Sequence, residues 1–463
     1  MKKAKVPPIY KTGEKTELGN YRPISVLPCF SKILERIMQC HLMQYFTEKN
    51  ILYNKLFGFQ TGQSTDHAMV ELVDQIYNSF NSDDYTIGVF IDLSKAFDTV
   101  DHKILLKKLE LYGVKGINLK WISSYLTNRT QYIQINNSDK TDTQSIKCGV
   151  PQGSILGPLL FLAYVNDLQC ASPVLDPIMF ADDTNLFCSH KDLRCLFSKV
   201  NAELININQW FISNKLSLNV GKTKFTLFHK PSKKDDIPLL LPELKINEYK
   251  IKRENSIKFL GVLMDENLSW KDHIKYTENK IAKNIGILFK AKPYLTTKCM
   301  LSLYYSYIHS FVTYGNIAWA STHTTYLQKI AGKQKHAIRI IFNKKRFEST
   351  REIFRSNKIL NVYQINIMKN LVFMHQVSTK TTPKVFLSKF QKPCHSYPTR
   401  FSKHDYSRPT SNLEKCKYRI SSRGPFLWNK FLFCSEKETK SLHVFKENVK
   451  NRLLQSENET DFF

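Results

Sequence analysis

The sequence predicts an α+β fold, with a mixed sheet covered by helices on one face and a long helical stretch after it. Three observations predict it. Thr86–Leu93 is an apolar run that reads as a buried strand, and it ends in an aspartate, Asp92. Pro177–Phe187 places apolar flanks on either side of Asp182 and Asp183, which reads as a hairpin with Ala181-Asp182-Asp183 at its tip. From Trp270 onward the apolar spacing turns helical. Adjacent aspartates disfavour a strand and repel each other unless a cation lies between them. Taken alone, the hairpin tip also reads as a plain polar turn.

Composition narrows the partners. At about 150 residues per domain, a chain of 463 residues holds several structural units around a sizeable core. Lys and Arg total 68 against 40 Asp and Glu, a formal net charge of +28. Such an excess calls for a polyanion, nucleic acid before an acidic membrane, since no basic amphipathic anchor is visible. The cysteines are scattered without a C-x-x-C pair, and Cys394-His395, Cys416 and Cys434 are too far apart for a compact zinc knuckle. They read as buried apolar residues of a reducing compartment. Met1–Asn20 lacks a signal-peptide core, and the longest apolar run, Ile155–Val165, is too short to span a bilayer. The expectation is a soluble intracellular protein of nucleus or cytoplasm, without a membrane partner.

Taken in order, Met1–Asn20 shows no amphipathic period. Tyr21–Pro28 is extended, and Ser31 is expected to cap a helix that carries Ile33, Leu34, Ile37, Met38 and Leu42. A helix over Thr65–Phe80 presents Ala68, Leu72, Val73 and Ile76 on one face. After the strand that ends at Asp92, Asp101 caps a helix closed by Gly113. Strands at Tyr132–Ile135 and Ser145–Cys148 lead into a loop rich in Gly and Pro, Gly149–Pro158, and then a helix over Leu159–Leu168. The hairpin is followed by a helix, Leu193–Asn214, a strand, Thr223–His229, and a lysine-rich surface loop, Lys230–Asp236. Ile257–Leu263 reads as one strand with a tight glycine in it. The helical stretch from Trp270 carries Lys275, Lys280, Lys283 and Lys290 largely off its apolar face. Further helices follow at Met300–Tyr314 and Tyr326–Phe342, the last with Lys329, Lys333, Lys335 and Arg339. The basic remainder holds one well-patterned helix, Leu442–Leu454.

A sheet that brings Asp92 beside Asp182 and Asp183 gathers three carboxylates at one edge. Such a set suits two Mg²⁺ ions, which prefer oxygen ligands and are commonly held by few carboxylates plus substrate phosphates. Two ions about 3.5–4 Å apart clamp the attacking and leaving oxygens of a phosphoryl transfer. On a chain this basic, that chemistry describes a nucleotidyltransferase.

At this point the motifs themselves become specific. Phe180-Ala181-Asp182-Asp183 resembles the signature of reverse transcriptases, and Phe90–Asp98 resembles their first palm motif. Gly149–Pro158 is similar to their template- and nucleotide-positioning loop in the form found in non-LTR (LINE-type, jockey-like) retrotransposons. Tyr21–Ser25 resembles the fingers motif of that group, Asn214–Lys224 a later palm motif, and Phe259-Leu260-Gly261 the primer-grip turn. Tyr314-Gly315 with Trp319, and Gly424-Pro425 with Leu427-Trp428-Asn429, resemble segments downstream of the polymerase. The motifs stand in the family's order along nearly the whole chain.

The resemblance implies a right-hand polymerase with a ferredoxin-like palm: fingers over 1–85, palm over 86–118, a connection over 119–147, palm again over 148–269, a helical thumb over 270–345 and a basic C-terminal region over 346–463. It implies an RNA-directed DNA polymerase that extends a primer 3′-hydroxyl on an RNA template with dNTPs and two Mg²⁺, or Mn²⁺ in their place. Asp92 and Asp182 would be the main metal ligands, with Asp183 supporting. Phe97 would close the space under the sugar against a 2′-hydroxyl; its alternative is core packing. Gln152 and Gly153 would meet the nucleotide and the template backbone, against the alternative of an ordinary tight loop. Arg22 would grip the triphosphate. Lys222 would protonate the leaving pyrophosphate, with Lys215 and Lys224 as rivals. Phe259, Leu260 and Gly261 would grip the primer, and Lys329, Lys333 and Arg339 would track phosphates by shape. Asp98 and Asp101 are assigned to turn and cap, and His102 to a helix's first turn.

No segment is long enough for the endonuclease such elements usually carry, so integration would need one in trans. A zinc knuckle and a ribonuclease H acidic cluster are also missing. The competing expectation is a catalytically silent RNA-binding remnant of a truncated element.

Overall fold

The structure is a computed structural model that describes residues 2–135, 140–392, 405–410 and 414–456. Its centre is a five-stranded sheet in the order Lys252–Arg253, Lys224–Phe228, Tyr85–Ile91, Asp183–His190, Asp176–Phe180. The first pair is parallel and the others antiparallel, so the sheet is mixed as expected. Tyr85–Ile91 is buried at every position, the pattern of a strand covered on both faces.

That cover corrects the expectation of helices on one face. Ile87, Val89 and Ile91 join a core with the helix Leu193–Ser213 and the helix Gly157–Val165. Phe90, Phe187 and Phe228 join a second core with the helix Thr65–Asn81, the thumb helices and the C-terminal region. The α+β class holds, and the sheet divides two cores instead of lying over one.

Four further expectations are revised. The helix Cys29–Glu48 starts before Ser31, which is buried inside it and donates to Glu35. Its inward face carries Ser31, Glu35, Leu42 and Phe46, while Ile33, Leu34 and Ile37 are exposed. The physical reason is Glu35: buried, it accepts from the backbone N–H groups of Ile155 and Leu156 at 2.8 and 3.2 Å, and this turns the apolar stripe outward. Lys3–Val6 is a strand, parallel to Arg129–Ile133. Four residues in alternation, Ala4 and Val6 in and Lys3 and Lys5 out, are too few to show a period in sequence. Ile257–Leu263 is not one strand: Ser256–Phe259 and Val262–Asp265 pair antiparallel around a turn at Leu260-Gly261. The cysteines, finally, are mostly outside. Among the described residues Cys29, Cys40, Cys148, Cys170 and Cys299 are exposed, Cys195 is half-buried, and Cys188 and Cys416 are buried. Cys394 and His395 lie outside the described residues.

The helix Lys271–Ala291 buries Ile274, Ile281, Ile285 and Leu288 as its spacing predicts, and packs on Thr324–Ile341. The region after residue 345 is less irregular than its composition suggests. Val362–Ser378, Ile420–Phe431 and Leu442–Gln455 are helices that pack on one another and extend the second core. Among the described residues no helix is long and apolar enough to cross a membrane.

Candidate active site

Register alone assembles the carboxylates. Ile91 pairs with Thr184 across the sheet, so the next residue, Asp92, arrives level with Asp183. Phe180 pairs with Asp183, which leaves Ala181 and Asp182 as a two-residue turn, with Ala181 left-handed at φ +56°. Asp183 is thus the first residue of its strand and Asp182 alone forms the tip with Ala181. The turn is braced from the side. Phe57 N–H donates to the Met179 carbonyl at 2.8 Å, and Met179 N–H to the Lys55 carbonyl at 3.0 Å. A Cβ on Gly58 would lie 2.4 Å from the Ala181 nitrogen, so only glycine permits this approach.

The electrostatics show the convergence. Burial first, then the charges of Asp182 and Asp92, push the Asp183 carboxyl up to about 6, although the residue as a whole is exposed. Carboxylates crowded with no cation among them are the condition that a divalent ion relieves, and the donors are all hard oxygens. Among the described residues no group of three or more His, Cys, Asp or Glu closes into a ready ligand cage.

A cleft of 360 Å³ opens at this edge, lined by Asp92, Asp183, Lys222, Lys258, Phe259 and Leu260 among others. The three lysine candidates separate here. Lys222 and Lys224 both line the cleft, but Lys224 is paired with Glu254 at 3.0 Å and Lys215 with Asp101 at 2.6 Å, while Lys222 makes no ion pair among the described residues. A larger cavity, of 600 Å³, lies between the end of Cys29–Glu48 and Thr381–Lys384, and no carboxylate lines it. Asp92 and Asp183 line the smaller one.

On the other side of Asp92, the Phe97 ring stacks on Phe161 (4.6 Å between centroids) and meets Phe59 edge-on at 6.1 Å. It is half-buried, and its carbonyl accepts from Val150 N–H at 2.8 Å. The Gly149–Pro158 loop is therefore tied to the strand that carries Asp92. Gln152 donates to the Asp98 carboxylate at 3.0 Å, and its carbonyl accepts from Ser25 N–H at 2.7 Å. Gly153, at φ +102°, faces the Ser25 carbonyl, which would lie 3.0 Å from a Cβ. Arg22 stands exposed on the strand Tyr21–Pro23, two residues from this junction's Ile24, with no ion pair among the described residues.

Several contributors were invisible in sequence. Asp101 caps the helix His102–Leu111 as expected, accepting from Lys103 and Ile104, but Asp98 also orients Gln152, and His102 Nε2 bonds the Gly149 carbonyl at 2.8 Å. Phe59 and Gly58 belong to none of the motifs named above. In the thumb, Lys333 lies 3.8 Å from Glu278, Arg339 donates to the Glu348 carbonyl and Lys329 sits over the Tyr326 ring. These three cations are partly engaged within the thumb and do not reach the carboxylate edge.

Residues 9–264 match the family model described as reverse transcriptase (RNA-dependent DNA polymerase). Among curated proteins, the RNA-directed DNA polymerase from mobile element jockey of Drosophila melanogaster is 26% identical over 77% of this chain and 39% of its own length. The probable RNA-directed DNA polymerase from transposon BS of the same fly is 29% identical over 73% of this chain and 38% of its own. The chain thus spans under two-fifths of the curated relatives it matches. Among solved structures, a telomerase from Candida tropicalis overlaps 97% of this chain and 64% of its own at 11% identity, with a TM-score of 0.43, too loose to carry an argument.

Proposed function

Because this chain belongs to the reverse transcriptase (RNA-dependent DNA polymerase) family, we propose that it extends a DNA primer on an RNA template, as its jockey-like relatives are named for doing. The observation that carries the reading is the pairing of Ile91 with Thr184, which sets Asp92 level with Asp183 beside the Asp182 turn. Nothing favours the alternative of a silent RNA-binding remnant.

Divalent-metal dependence goes with the family, and Mg²⁺ is the ion we propose, with Mn²⁺ as a substitute. Asp92 and Asp182 would hold it, with Asp183 in support; bound there, it supplies charge neutralisation at the α-phosphate and at both oxygens of the displacement. The chain's own groups do the rest. Lys222 lines the same cleft and is the one of the three lysine candidates without an ion pair among the described residues, which supports it as the group that would give a proton to the leaving pyrophosphate. Arg22 presents a forked donor to the triphosphate from the fingers. Gln152, held by Asp98, and Gly153, without a side chain, let nucleotide and template backbone approach. Phe97 presents a flat ring, fixed from behind by Phe161, where the sugar's 2′ position would come.

The primer would be steadied at Phe259-Leu260-Gly261 and the duplex by thumb cations over 270–345, with the boundaries 1–85, 119–147 and 346–463 as proposed fingers, connection and C-terminal region. A net charge of +28 supports RNA and DNA as partners. The setting we propose is intracellular, in nucleus or cytoplasm, with any target nicking supplied in trans.

The test is primer extension on poly(rA)/oligo(dT) with Mg²⁺. Asp92→Asn and Asp182→Asn should each cut synthesis by about a thousandfold or more, roughly 4 kcal/mol of transition-state stabilisation, with circular dichroism unchanged. Equal incorporation by wild type and both variants would remove the polymerase assignment.

A further inference from the structure

We propose that Tyr314 is a positioning residue that fastens the Leu260-Gly261 turn to the thumb, so that residence of the template–primer duplex depends on its hydroxyl group. The proposal rests on the polymerase reading and deepens it, since it assigns a part to the Tyr-Gly segment that the catalytic residues leave unexplained.

The contacts are specific. Leu260 and Gly261 form a two-residue turn, both at positive φ (+44° and +87°), between the paired residues Phe259 and Val262. Leu260 also lines the cleft that contains Asp92 and Asp183. Such a turn, standing clear of the main sheet, has no ladder partner to hold its tip. Tyr314 supplies one: its hydroxyl donates to the Leu260 carbonyl at 2.5 Å, and its ring edge lies 3.3 Å from where a Cβ on Gly261 would be. A side chain at 261 would therefore press on the tyrosine as well as strain the turn.

Tyr314 is itself fixed from the thumb side. The Trp319 indole N–H donates to the Tyr314 carbonyl at 2.8 Å, and Trp319 is fully buried against His273 of the helix Lys271–Ala291. The Tyr314 N–H donates to the Ser310 carbonyl at 3.0 Å, at the end of a helix that passes through a π-helical turn, Tyr305–His309. Such turns occur frequently at functional sites. The result is a half-exposed tyrosine with its backbone anchored in the thumb core and its hydroxyl placed on a palm turn. A core-filling role does not account for a tyrosine that is 43% exposed.

Without the hydroxyl the turn and thumb lose their polar link. A duplex held between them should leave faster, while the carboxylates, whose places are set by the register of the main sheet, continue to act at the same rate on duplex already bound.

The experiment compares wild type with Tyr314→Phe, which keeps the ring and removes only the donor. A labelled RNA template annealed to a DNA primer gives three readouts: dissociation rate against a heparin trap, product length in one encounter, and single-turnover rate at saturating duplex. Dissociation should quicken about fivefold, the worth of one neutral hydrogen bond. Products should shorten, with the single-turnover rate within about twofold and the melting temperature falling by no more than the few degrees that one lost hydrogen bond costs. Equal dissociation rates would overturn the proposal. So would a lowered melting temperature with unchanged dissociation, which marks a purely structural tyrosine. If wild type makes no product at all, the polymerase reading fails by itself, and the two dissociation rates still decide the part played by Tyr314.

Discussion

The sheet edge that carries Asp92, Asp182 and Asp183 and the seam between the helix Thr65–Asn81 and the C-terminal region are assembled by different physics. At the edge, backbone register does the positioning, and each carboxylate is fixed by its place in a ladder. At the seam, side chains from distant segments do it. Glu71 and Asp74, both buried on Thr65–Asn81, share the Lys389 ammonium at 2.7 and 3.3 Å, and Ser421 donates to Asp74 at 2.5 Å. Lys55 joins Glu71 at 3.1 Å and also Asp176, at the foot of the strand that leads to the Asp182 turn. Burial pulls the Lys389 ammonium down, but Asp74 and Glu71 outweigh it and hold its pKa above the ordinary value. The difference teaches that charge gathered by a ladder is left open for chemistry, whereas charge gathered by packing is neutralised on the spot. The C-terminal region thereby becomes part of the frame that supports the Asp182 hairpin.

The comparison breaks most readily at Lys389. Lys389→Met removes the cation between two buried carboxylates and leaves Asp74 without a charge partner. A loss of about 3–5 kcal/mol in unfolding free energy is expected, because the penalty is an uncompensated buried charge. The surface pair Lys344–Glu348, both members about two-fifths exposed, is the contrast. Lys344→Ala should cost less than about 1 kcal/mol. Urea denaturation of both variants checks this, and equal small losses would mean that the seam carries no weight.

A pH titration sharpens the same contrast, since the second core also buries neutral imidazoles. Burial lowers His67 and His273 to about 4 each, against Asp66 and Gln376, which pull His67 the other way. The His273 Nδ1 accepts from Leu263 N–H at 3.3 Å, a bond that the protonated ring cannot keep there. The folded pKa lies below the unfolded one, so the unfolded chain binds more protons between the two values. Stability is therefore complete above about pH 6.5 and is lost as pH falls towards 4. Between pH 7 and 5 each histidine should cost about 1–2 kcal/mol. His273→Gln should flatten its share of the slope; an unaltered slope would remove this histidine from the account.

These two regions also mark what the sequence made legible. The strand to Asp92, the Asp182 hairpin, the Gly149–Pro158 loop and the thumb face of Ile274, Ile281, Ile285 and Leu288 were readable, because apolar period and turn chemistry are local. The inward turn of Glu35 was not, since its partners at Ile155 and Leu156 lie far along the chain. For the same reason the outward stripe of Ile33, Leu34 and Ile37 read as a core face. Lys389 meeting Glu71 and Asp74, and Tyr314 meeting Leu260, are long-range pairings with no local pattern to announce them. The split of Ile257–Leu263 into a hairpin needed the positive φ of Leu260, a residue that rarely adopts it.

The smallest expected effect returns to the open edge. Phe97 has one ring face on Phe161 and one edge towards Phe59, and it is only half-buried, so the core-packing alternative accounts for one side of the ring and leaves the other unexplained. If the free side excludes a ribose 2′-hydroxyl, it does so by volume. Phe97→Val shortens that wall while Val150 keeps its bond to the residue's carbonyl, because the bond is to the backbone. Ribonucleotide use should then rise relative to deoxynucleotide use, with the dNTP/rNTP ratio of efficiencies falling by about tenfold or more, near 1.4 kcal/mol. A valine that merely leaves a gap beside Phe161 would instead lower the melting temperature and reduce both substrates together. Single-nucleotide incorporation with paired dNTP and rNTP titrations, run beside thermal melts, separates the two. A constant ratio with reduced stability would move Phe97 from the open edge to the packed interior.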